Sequence, residues 1–343
     1  MLQKIISRYK RVKTNRYLAH NYEGNYAFVG FGQHSLNNLY PVLNYLQVPL
    51  KYICVTSDEK AKLINQKFNG IKATTSLGDI LNDDSIKGVF VSTTPSAHFK
   101  IAKKVLQHGK NIFIEKPPCA SLEELNELID LCNKQSNLKV LVGLQKRFAP
   151  CTQILKQRLS RNKILNYSMR YCTGKYPEGN ALLDLFIHPI DLAIYIFGNA
   201  SIIACEKSSA NSYIIMLKHD DFVGTLELST DYSWENSIET LSVCTQKGVY
   251  EMSKLEELTY CPKQTVICGV PIEKIIKRNS TIENLFHRNN FSPILVNNQI
   301  YTQGFYDEIK YFVDCVEDKK LISISNLRLM WNTYNLIGTI QNK

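Results

Sequence analysis

The chain has 343 residues, 44% of them apolar and 21% charged, which is enough to bury two ordinary cores, so two domains are expected. No apolar run approaches the roughly 18 residues that span a bilayer, and no charged-then-apolar leader opens the chain; the expectation is a cytoplasmic protein with no membrane partner. The 10 cysteines show no Cys-x-x-Cys and no Cys/His cluster at zinc spacing, so they read as reduced thiols and no metal site is expected.

The net charge of +10 is unevenly placed. Lys4, Arg8, Lys10, Arg11, Lys13 and Arg16 stand in the first turns with no acid among them, leaving about +4 for everything after them. Residues 1–21 therefore read as a basic arm on a nearly balanced body. Such an arm is a solvated or partner-facing helix, a transit peptide, or a segment drawn to acidic surfaces. A nucleic-acid partner is not expected, because the excess charge is confined to the arm and no recognition motif stands out.

Tyr26-Ala-Phe-Val29 is a short apolar strand that runs into Gly30-Phe31-Gly32-Gln33, with His34 and then Ser35 where a third small residue is expected. Leu36, Leu39, Tyr40 and Leu43 follow as a helical stripe, and residues 50–55 form the next strand. Strand, Gly-x-Gly-x-x-small, helix, strand is the setting of a dinucleotide fingerprint, in which glycine lets the backbone approach a pyrophosphate at a helix N-terminus. Ser35 replaces the packing glycine with a hydroxyl able to reach a phosphate oxygen, and His34 reads as exposed. Where the second strand ends, the usual ribose-binding acid gives way to Thr56 and Ser57, followed by Asp58, Glu59 and Lys60. That exchange favours NADP(H) over NAD(H), since hydroxyls and a lysine accept a 2′-phosphate that a carboxylate repels. A register shift of one residue would let Asp58 serve as the ribose-binding acid.

Residues 88–92 form a buried strand, Thr93-Thr94-Pro95-Ser96-Ala-His98 a turn, and residues 99–108 a helix. Asn111-Ile-Phe-Ile-Glu115-Lys116-Pro117 closes another strand, Ser121-x-x-Glu124 is a capping box, and residues 139–143 make the last strand of this half. Repeated strand–helix alternation predicts a doubly wound parallel sheet over residues 22–145, with ligands at the carboxyl ends of its strands. Glu115 and Lys116 stand at one such end, where Lys116 either serves chemistry or merely pairs with Glu115. Further on, Asp184 and His188 are four apart in a stretch whose apolar spacing predicts a buried helix that begins near Leu185 or Phe186 and ends at Gly198. That spacing puts a carboxylate and an imidazole on one helical face; the bland alternative is a capping carboxylate and a satisfied core histidine.

Gly30-Phe31-Gly32, Thr94-Pro95-x-x-His98, Glu115-Lys116-Pro117, Arg147-Phe148 and Asp184-x-x-x-His188-x-x-Asp191 together resemble, in order and approximate spacing, the Gfo/Idh/MocA oxidoreductases. The resemblance implies an N-terminal Rossmann domain followed by an α+β domain with an open, mostly antiparallel sheet. It implies a nicotinamide cofactor, for which the candidate contacts are Gly30, Phe31, Gly32, Gln33, Thr94, Pro95, His98, Glu115 and Lys116, together with Ser35, Thr56 and Ser57 from the reading of the residues above. It also implies a sugar, sugar-nucleotide or cyclic-polyol substrate, and a homodimer or homotetramer built through the second sheet. The family's catalytic lysine, aspartate and histidine fall on Lys116, Asp184 and His188. The departures are Ser35, the missing ribose acid, a second proline at Pro118 and the basic arm.

In residues 146–343, Arg147 either holds an anionic part of the substrate or pairs with a surface acid. The polar loop from Thr173 to Asn180 leads into the Asp184 stretch and offers Lys175 and Tyr176 as substrate contacts. Short β-rich runs separated by turns fill residues 201–261, helices are expected around 305–316 and 327–340, and residues 262–300 are left unplaced. The implied reaction moves a hydride between the nicotinamide and a secondary alcohol or ketone. Neutral His188 exchanges the hydroxyl proton, Lys116 stabilises the alkoxide, and Asp184 orients the imidazole or a neighbouring hydroxyl. The alternatives are a non-catalytic NADP-binding regulator or assembly partner on the same fold, and a reductase of an imine or linear tetrapyrrole.

Overall fold

The computed structural model describes residues 1–19, 21–135, 137–176, 179–276, 281–288 and 298–342. A basic helix α1 (Leu2–Leu18) precedes a six-stranded parallel sheet of β1 (Asn25–Val29), β2 (Leu50–Cys54), β3 (Lys72–Thr74), β4 (Ile86–Val91), β5 (Asn111–Glu115) and β6 (Val140–Gly143). The strand order is β3-β2-β1-β4-β5-β6, so the chain reverses direction across the sheet between β1 and β4. That reversal opens a crevice at the carboxyl ends of the two strands, the place where this architecture binds nucleotides.

The sheet is buried on both faces, which is why its strands read as continuous apolar runs. One face carries Tyr26, Phe28, Phe90 and Phe113 against helices α2 (Tyr40–Tyr45) and α3 (Asp58–Lys67) and against α11 (Phe305–Glu317), whose Phe312 meets Phe90 at 5.3 Å between ring centres. The other carries Ala27, Val89, Val91 and Ile114 against α5 (Pro95–Gln107) and α6 (Leu122–Asn133), and this core runs on without a break into the second half of the chain.

Two local departures from the sequence reading have a common cause. The helix after the glycines opens as a π-turn over Ser35–Leu39, because Pro41 has no N–H to bond the carbonyl four residues back. The shift turns Leu36 outward and leaves Leu39, Val42 and Leu43 as the buried stripe. Likewise the helix expected to begin near Leu185 or Phe186 is α9 (Ile187–Phe197), but a separate turn, α8 (Ala181–Asp184), precedes it; Pro189 cannot donate to the Leu185 carbonyl, which accepts from His188 N at 3.3 Å. Asp184 and His188 therefore lie on either side of a helix break instead of along one face.

The second sheet has eight strands: β7 (Ile164–Cys172), β8 (Ser201–Ser209), β9 (Ser212–Lys218), β10 (Val223–Ser229), β11 (Ile238–Thr245), β12 (Gly248–Ser253), β13 (Glu257–Pro262) and β16 (Glu283–His287). Their order is β16-β13-β12-β11-β7-β10-β9-β8, and every pairing is antiparallel except β7 with β10. The fold is thus an N-terminal Rossmann-type parallel sheet followed by a mostly antiparallel open sheet. α9 lies between the two sheets with every residue from Ile187 to Phe197 buried except Tyr195. It packs on α12 (Trp331–Gln341), which also contacts α6.

Residues after 300, expected with the second sheet, are shared: α11 covers the parallel sheet, and Ser325 O accepts from Val142 N of β6 at 2.9 Å. Of the unplaced region 262–300, the structure gives a small hairpin, β14 (Val266–Ile267) with β15 (Val270–Pro271), then β16 and the start of α10 (Gln299–Thr302); residues 277–280 and 289–297 lie outside the described residues. All ten cysteines are free. Among the described residues no helix is long and apolar enough to cross a membrane, and no group of three or more His, Cys, Asp or Glu is placed to hold a metal.

Candidate active site

A cavity of about 770 Å³ opens at the carboxyl edge of the parallel sheet, over the reversal between β1 and β4. Its floor is the Gly30–Ser35 turn, one end is formed by Thr56, Lys60 and Thr75, and the other by Glu115 and Lys116. The two glycines serve it differently. Gly30 has φ +83°, and a Cβ there would lie 2.3 Å from Ser92 O, so the turn needs glycine to pass beneath β4. At Gly32 a Cβ would meet nothing within 4 Å, so the missing side chain is space left open to the cavity. A floor of free backbone at a helix start fits the pyrophosphate of a dinucleotide.

Several residues expected to touch the nucleotide do something else. Ser35 is 1% exposed, and its hydroxyl faces Gly30 O at 3.4 Å and Ser92 Oγ at 3.1 Å; it braces the turn and is not aimed at a phosphate. Ser57 caps α3 by accepting from Lys60 N at 3.3 Å and does not line the cavity, whereas Thr56 does. The ring of Phe31 packs edge-on against Tyr40 and Phe68, leaving its backbone in the turn. His98 is buried with both nitrogens engaged: Nε2 accepts from Thr93 N at 3.3 Å, so Nδ1 carries the proton and donates to Pro117 O at 2.7 Å. It ties the loop after β4 to the loop after β5 and offers the cavity only a ring face. Gln33, Thr94 and Pro95 line the cavity as expected, Pro95 in the first turn of α5.

At the far end, Lys116 leaves β5 and donates from Nζ to the backbone carbonyl of Asp184 at 2.6 Å, which joins the parallel sheet to the helix break. Burial lowers its pKa, against the raising effect of Glu115 and Asp184. The Asp184 carboxylate accepts from Asn180 N at 2.9 Å and from the Tyr176 hydroxyl, while Asn180 caps α8 through Leu182 N and Leu183 N. Asp184 is therefore a cap, as in the bland reading, and burial nonetheless raises its pKa. His188, in the first turn of α9, is 8% exposed, and its Nδ1 has no partner among the described residues. Burial first, then the cations Lys116 and Lys146, push its pKa well below 6.5, so the ring is neutral at neutral pH. A buried ring nitrogen without a partner costs stability and is the one part of this histidine that packing does not account for.

Arg147 does not belong to the site. It is 1% exposed, and its guanidinium grips Asp191 of α9 through Nε–Oδ2 at 2.8 Å and Nη2–Oδ1 at 2.5 Å, with Nη1 on Ile324 O at 2.6 Å. Neither sequence alternative matches this placement: each of the three guanidinium nitrogens is engaged within the core, and the acid is a core residue instead of a surface one. Tyr176 reaches Asp184, but Lys175 is exposed, contributing its carbonyl to Trp234 Nε1 at 3.0 Å; Pro177 and Glu178 of the same loop lie outside the described residues.

Three neighbours of the site had no role in it assigned from the sequence. Lys146, next to Arg147 after the last parallel strand, is buried against Glu239 of β11 and the Tyr171 ring, a cation beside His188. His34, read as exposed, also stands 3.3 Å from Glu115 Oε1; burial presses its pKa down, but the Glu115 contact prevails and raises it above 6.5. Asn180 carried a visible signal, a cap residue just before an apolar run.

A parallel sheet with its crevice at the strand reversal, joined by one lysine to the Asp184 carbonyl at the helix break just before a buried histidine, has the arrangement of a two-part nucleotide-binding oxidoreductase. Residues 24–144 match the family model GFO_IDH_MocA, described as an oxidoreductase family with an NAD-binding Rossmann fold, and the match supports an NAD(P)-dependent dehydrogenase or reductase. YceM of Salmonella typhimurium, described provisionally as an oxidoreductase, is 23% identical over 241 residues, 68% of this chain and 71% of YceM. An uncharacterized oxidoreductase of Escherichia coli, YhhX, is 29% identical over 199 residues, 54% of this chain and 57% of YhhX. Among solved structures, a levoglucosan dehydrogenase in complex with NADH and levoglucosan is similar in fold, with a TM-score of 0.79 at 16% identity over 93% of this chain and 96% of that one.

Proposed function

We propose that the protein transfers a hydride between a nicotinamide nucleotide and a secondary alcohol or ketone of a sugar, sugar nucleotide or cyclic polyol, with Lys116, Asp184 and His188 around the reacting carbon. The observation that carries this reading is the reach of Lys116 from the nucleotide cavity to Asp184, one helix break from an unpartnered buried imidazole. A bound nicotinamide nucleotide supplies the hydride acceptor or donor. His188, neutral because it is buried among cations, takes the hydroxyl proton during oxidation and returns it during reduction. Lys116 places positive charge where the alkoxide oxygen develops, and its hold on the Asp184 carbonyl keeps the two halves in register. Asp184, capped into place by Asn180 and Tyr176, sets the start of α9 and hence the position of His188.

A general base contributes roughly a hundredfold to ten-thousandfold. His188→Ala should accordingly bind dinucleotide like the parent and turn over at least about a hundredfold more slowly on whichever sugar, sugar nucleotide or polyol the parent consumes in a screen at the reduced-nicotinamide band. Unchanged turnover removes His188 from the chemistry.

NADP(H) is the preferred nucleotide in this proposal: Thr56, Lys60 and Thr75 line the end of the cavity beyond β2, while the acid lining it, Glu115, is at the opposite end. Lys60→Glu should weaken NADPH binding at least about tenfold, equivalent to about 1.4 kcal/mol, and leave NADH within a few fold; equal losses for both would point to a structural lysine. The homo-oligomer proposed here uses the outer face of the second sheet, where Ile203, Ile214 and Met216 are exposed. Ile214→Asp should reduce the sedimenting mass.

A further inference from the structure

Among the described side chains of helix α1, none supplies the burial that usually holds a helix of its size. Each described side chain from Met1 to Asn15 is exposed, including Leu2 at 73%, Ile5 at 60% and Tyr9 at 65%. Its first turn contains no acid, and the helix has no acid anywhere to pair with its bases or to oppose the positive end of its dipole. Lys4 with Arg8, Arg8 with Arg11, and Lys10 with Lys13 are like charges three or four residues apart, spacings at which they repel across a helix. Seventeen residues with these liabilities make a marginal helix in water.

The same residues are well ordered by pattern. Leu2, Ile5, Ile6, Tyr9 and Val12 recur at steps of three and four and so share one face, closed at its far end by Lys13. Lys4, Arg8 and Arg11 share the opposite face, with Lys10 at its edge. A surface that is apolar inside and anionic outside relieves both problems together: it buries the exposed stripe and neutralises the repelling bases.

We propose that α1 is an interfacial anchor that lays its apolar face into a lipid bilayer surface carrying anionic headgroups. A polyphosphate such as nucleic acid answers the charge but leaves five apolar side chains in water. A protein groove can take the same stripe, and what favours lipid is the charge: bases and no acid along the helix, on the face turned away from the apolar residues and at its edges, where a bilayer presents its headgroups. The helix lies in the headgroup plane and does not span the bilayer, so it is a different matter from the membrane-spanning segment whose absence from the sequence led to no membrane partner being expected. This inference is independent of the reaction proposed above, because none of the described side chains of α1 lines the nucleotide cavity.

The test is flotation of the full-length protein with vesicles of phosphatidylcholine alone or with one quarter phosphatidylserine. The parent should float with the mixed vesicles and not with the neutral ones, should gain helical circular dichroism on binding, and should lose at least about tenfold in binding at half-molar salt. The Ile5→Ser/Ile6→Ser double variant, whose charge is unchanged, should bind at least about tenfold more weakly; Arg8→Gln/Arg11→Gln should do the same. Dinucleotide binding by both variants reports an intact body. Equal binding to neutral vesicles, parent-like binding by Ile5→Ser/Ile6→Ser, or a preference for RNA or an acidic peptide over the mixed vesicles overturns the proposal.

Discussion

Removal of the Asp191 carboxylate should be among the most damaging single changes in the chain, although Asp191 makes no contact with the cavity. Arg147 and Asp191 have side-chain exposures of 2% and 3%, and their two-point contact is completed by Thr333 Oγ1, which donates to Asp191 Oδ1 at 3.2 Å, and by Ile324 O, which accepts from Arg147 Nη1. Asp191→Ala strands a guanidinium in the core with one carbonyl for company, and breaking a buried pair from one side costs about 3–5 kcal/mol. Arg147→Lys keeps the charge but cannot form the fork, so it loses a charge-assisted bond worth about 1.5–3 kcal/mol. Replacing both partners, as Arg147→Met/Asp191→Leu, removes the charges together and should recover most of the loss. Urea unfolding followed by tryptophan fluorescence suits the measurement, because Trp331 stands two residues before Thr333. Steady-state KM for the parent substrate, measured in parallel, separates this role from substrate binding. An Asp191→Ala protein within about 1 kcal/mol of the parent, or an Arg147→Lys protein of parental stability and raised KM, would refute the structural assignment and restore Arg147 to the substrate.

Three further outcomes follow from the same geometry. Because burial and the cations Lys116 and Lys146 hold the His188 pKa well below 6.5, its unfolded form binds the proton first as pH falls; stability is therefore full above about 6.5 and declines as pH falls from there toward the folded pKa, and Lys146→Met should shift the acid limb of the pH–rate profile to higher pH. Gly30→Ala should lose stability and dinucleotide binding together, since its Cβ strikes Ser92 O, whereas Gly32→Val should unfold like the parent and lose affinity alone, as read by quenching of NADPH fluorescence on titration. Glu308 is fully buried, and burial followed by the neighbouring Glu115 raises its pKa well above 4.5; its contribution to stability is greatest at low pH and fades as pH rises from about 4.5 toward the folded value, so Glu308→Gln should flatten that part of the stability profile.

The parallel sheet and the cavity were legible because each depends on local pattern: apolar runs of strand length, glycines at a strand-to-helix turn, and caps before amphipathic stretches. The β-rich runs between residues 201 and 261 also surfaced within a few residues of their observed ends, since a half-buried antiparallel strand alternates. What the sequence did not disclose depends on partners far along the chain. Arg147 followed by Phe148 looks the same whether it faces a substrate or Asp191, and 44 residues separate the two members of that pair. Ser35 looked like a phosphate ligand because nothing local shows Ser92, 57 residues on, turning its hydroxyl toward it.

The helix break is the instructive case, because its cause was in view all along. Pro189 suits the first turn of α9, but its missing N–H denies the Leu185 carbonyl its helical donor, and His188 N takes that carbonyl instead at 3.3 Å. Breaking there frees the Asp184 carbonyl from the helical ladder, and that carbonyl is what Lys116 binds. One proline thus separates the carboxylate from the imidazole along the chain and, by the carbonyl it releases, lets the nucleotide-binding half take hold of the segment that presents both. Pro189→Ala tests this directly: with the N–H restored the two helices should fuse, the Leu185 carbonyl should exchange His188 N for the restored donor, and His188 N should return to the Asp184 carbonyl and compete with Lys116 for it. The protein should then keep its dinucleotide affinity while turnover falls; unchanged turnover would mean that the break positions nothing.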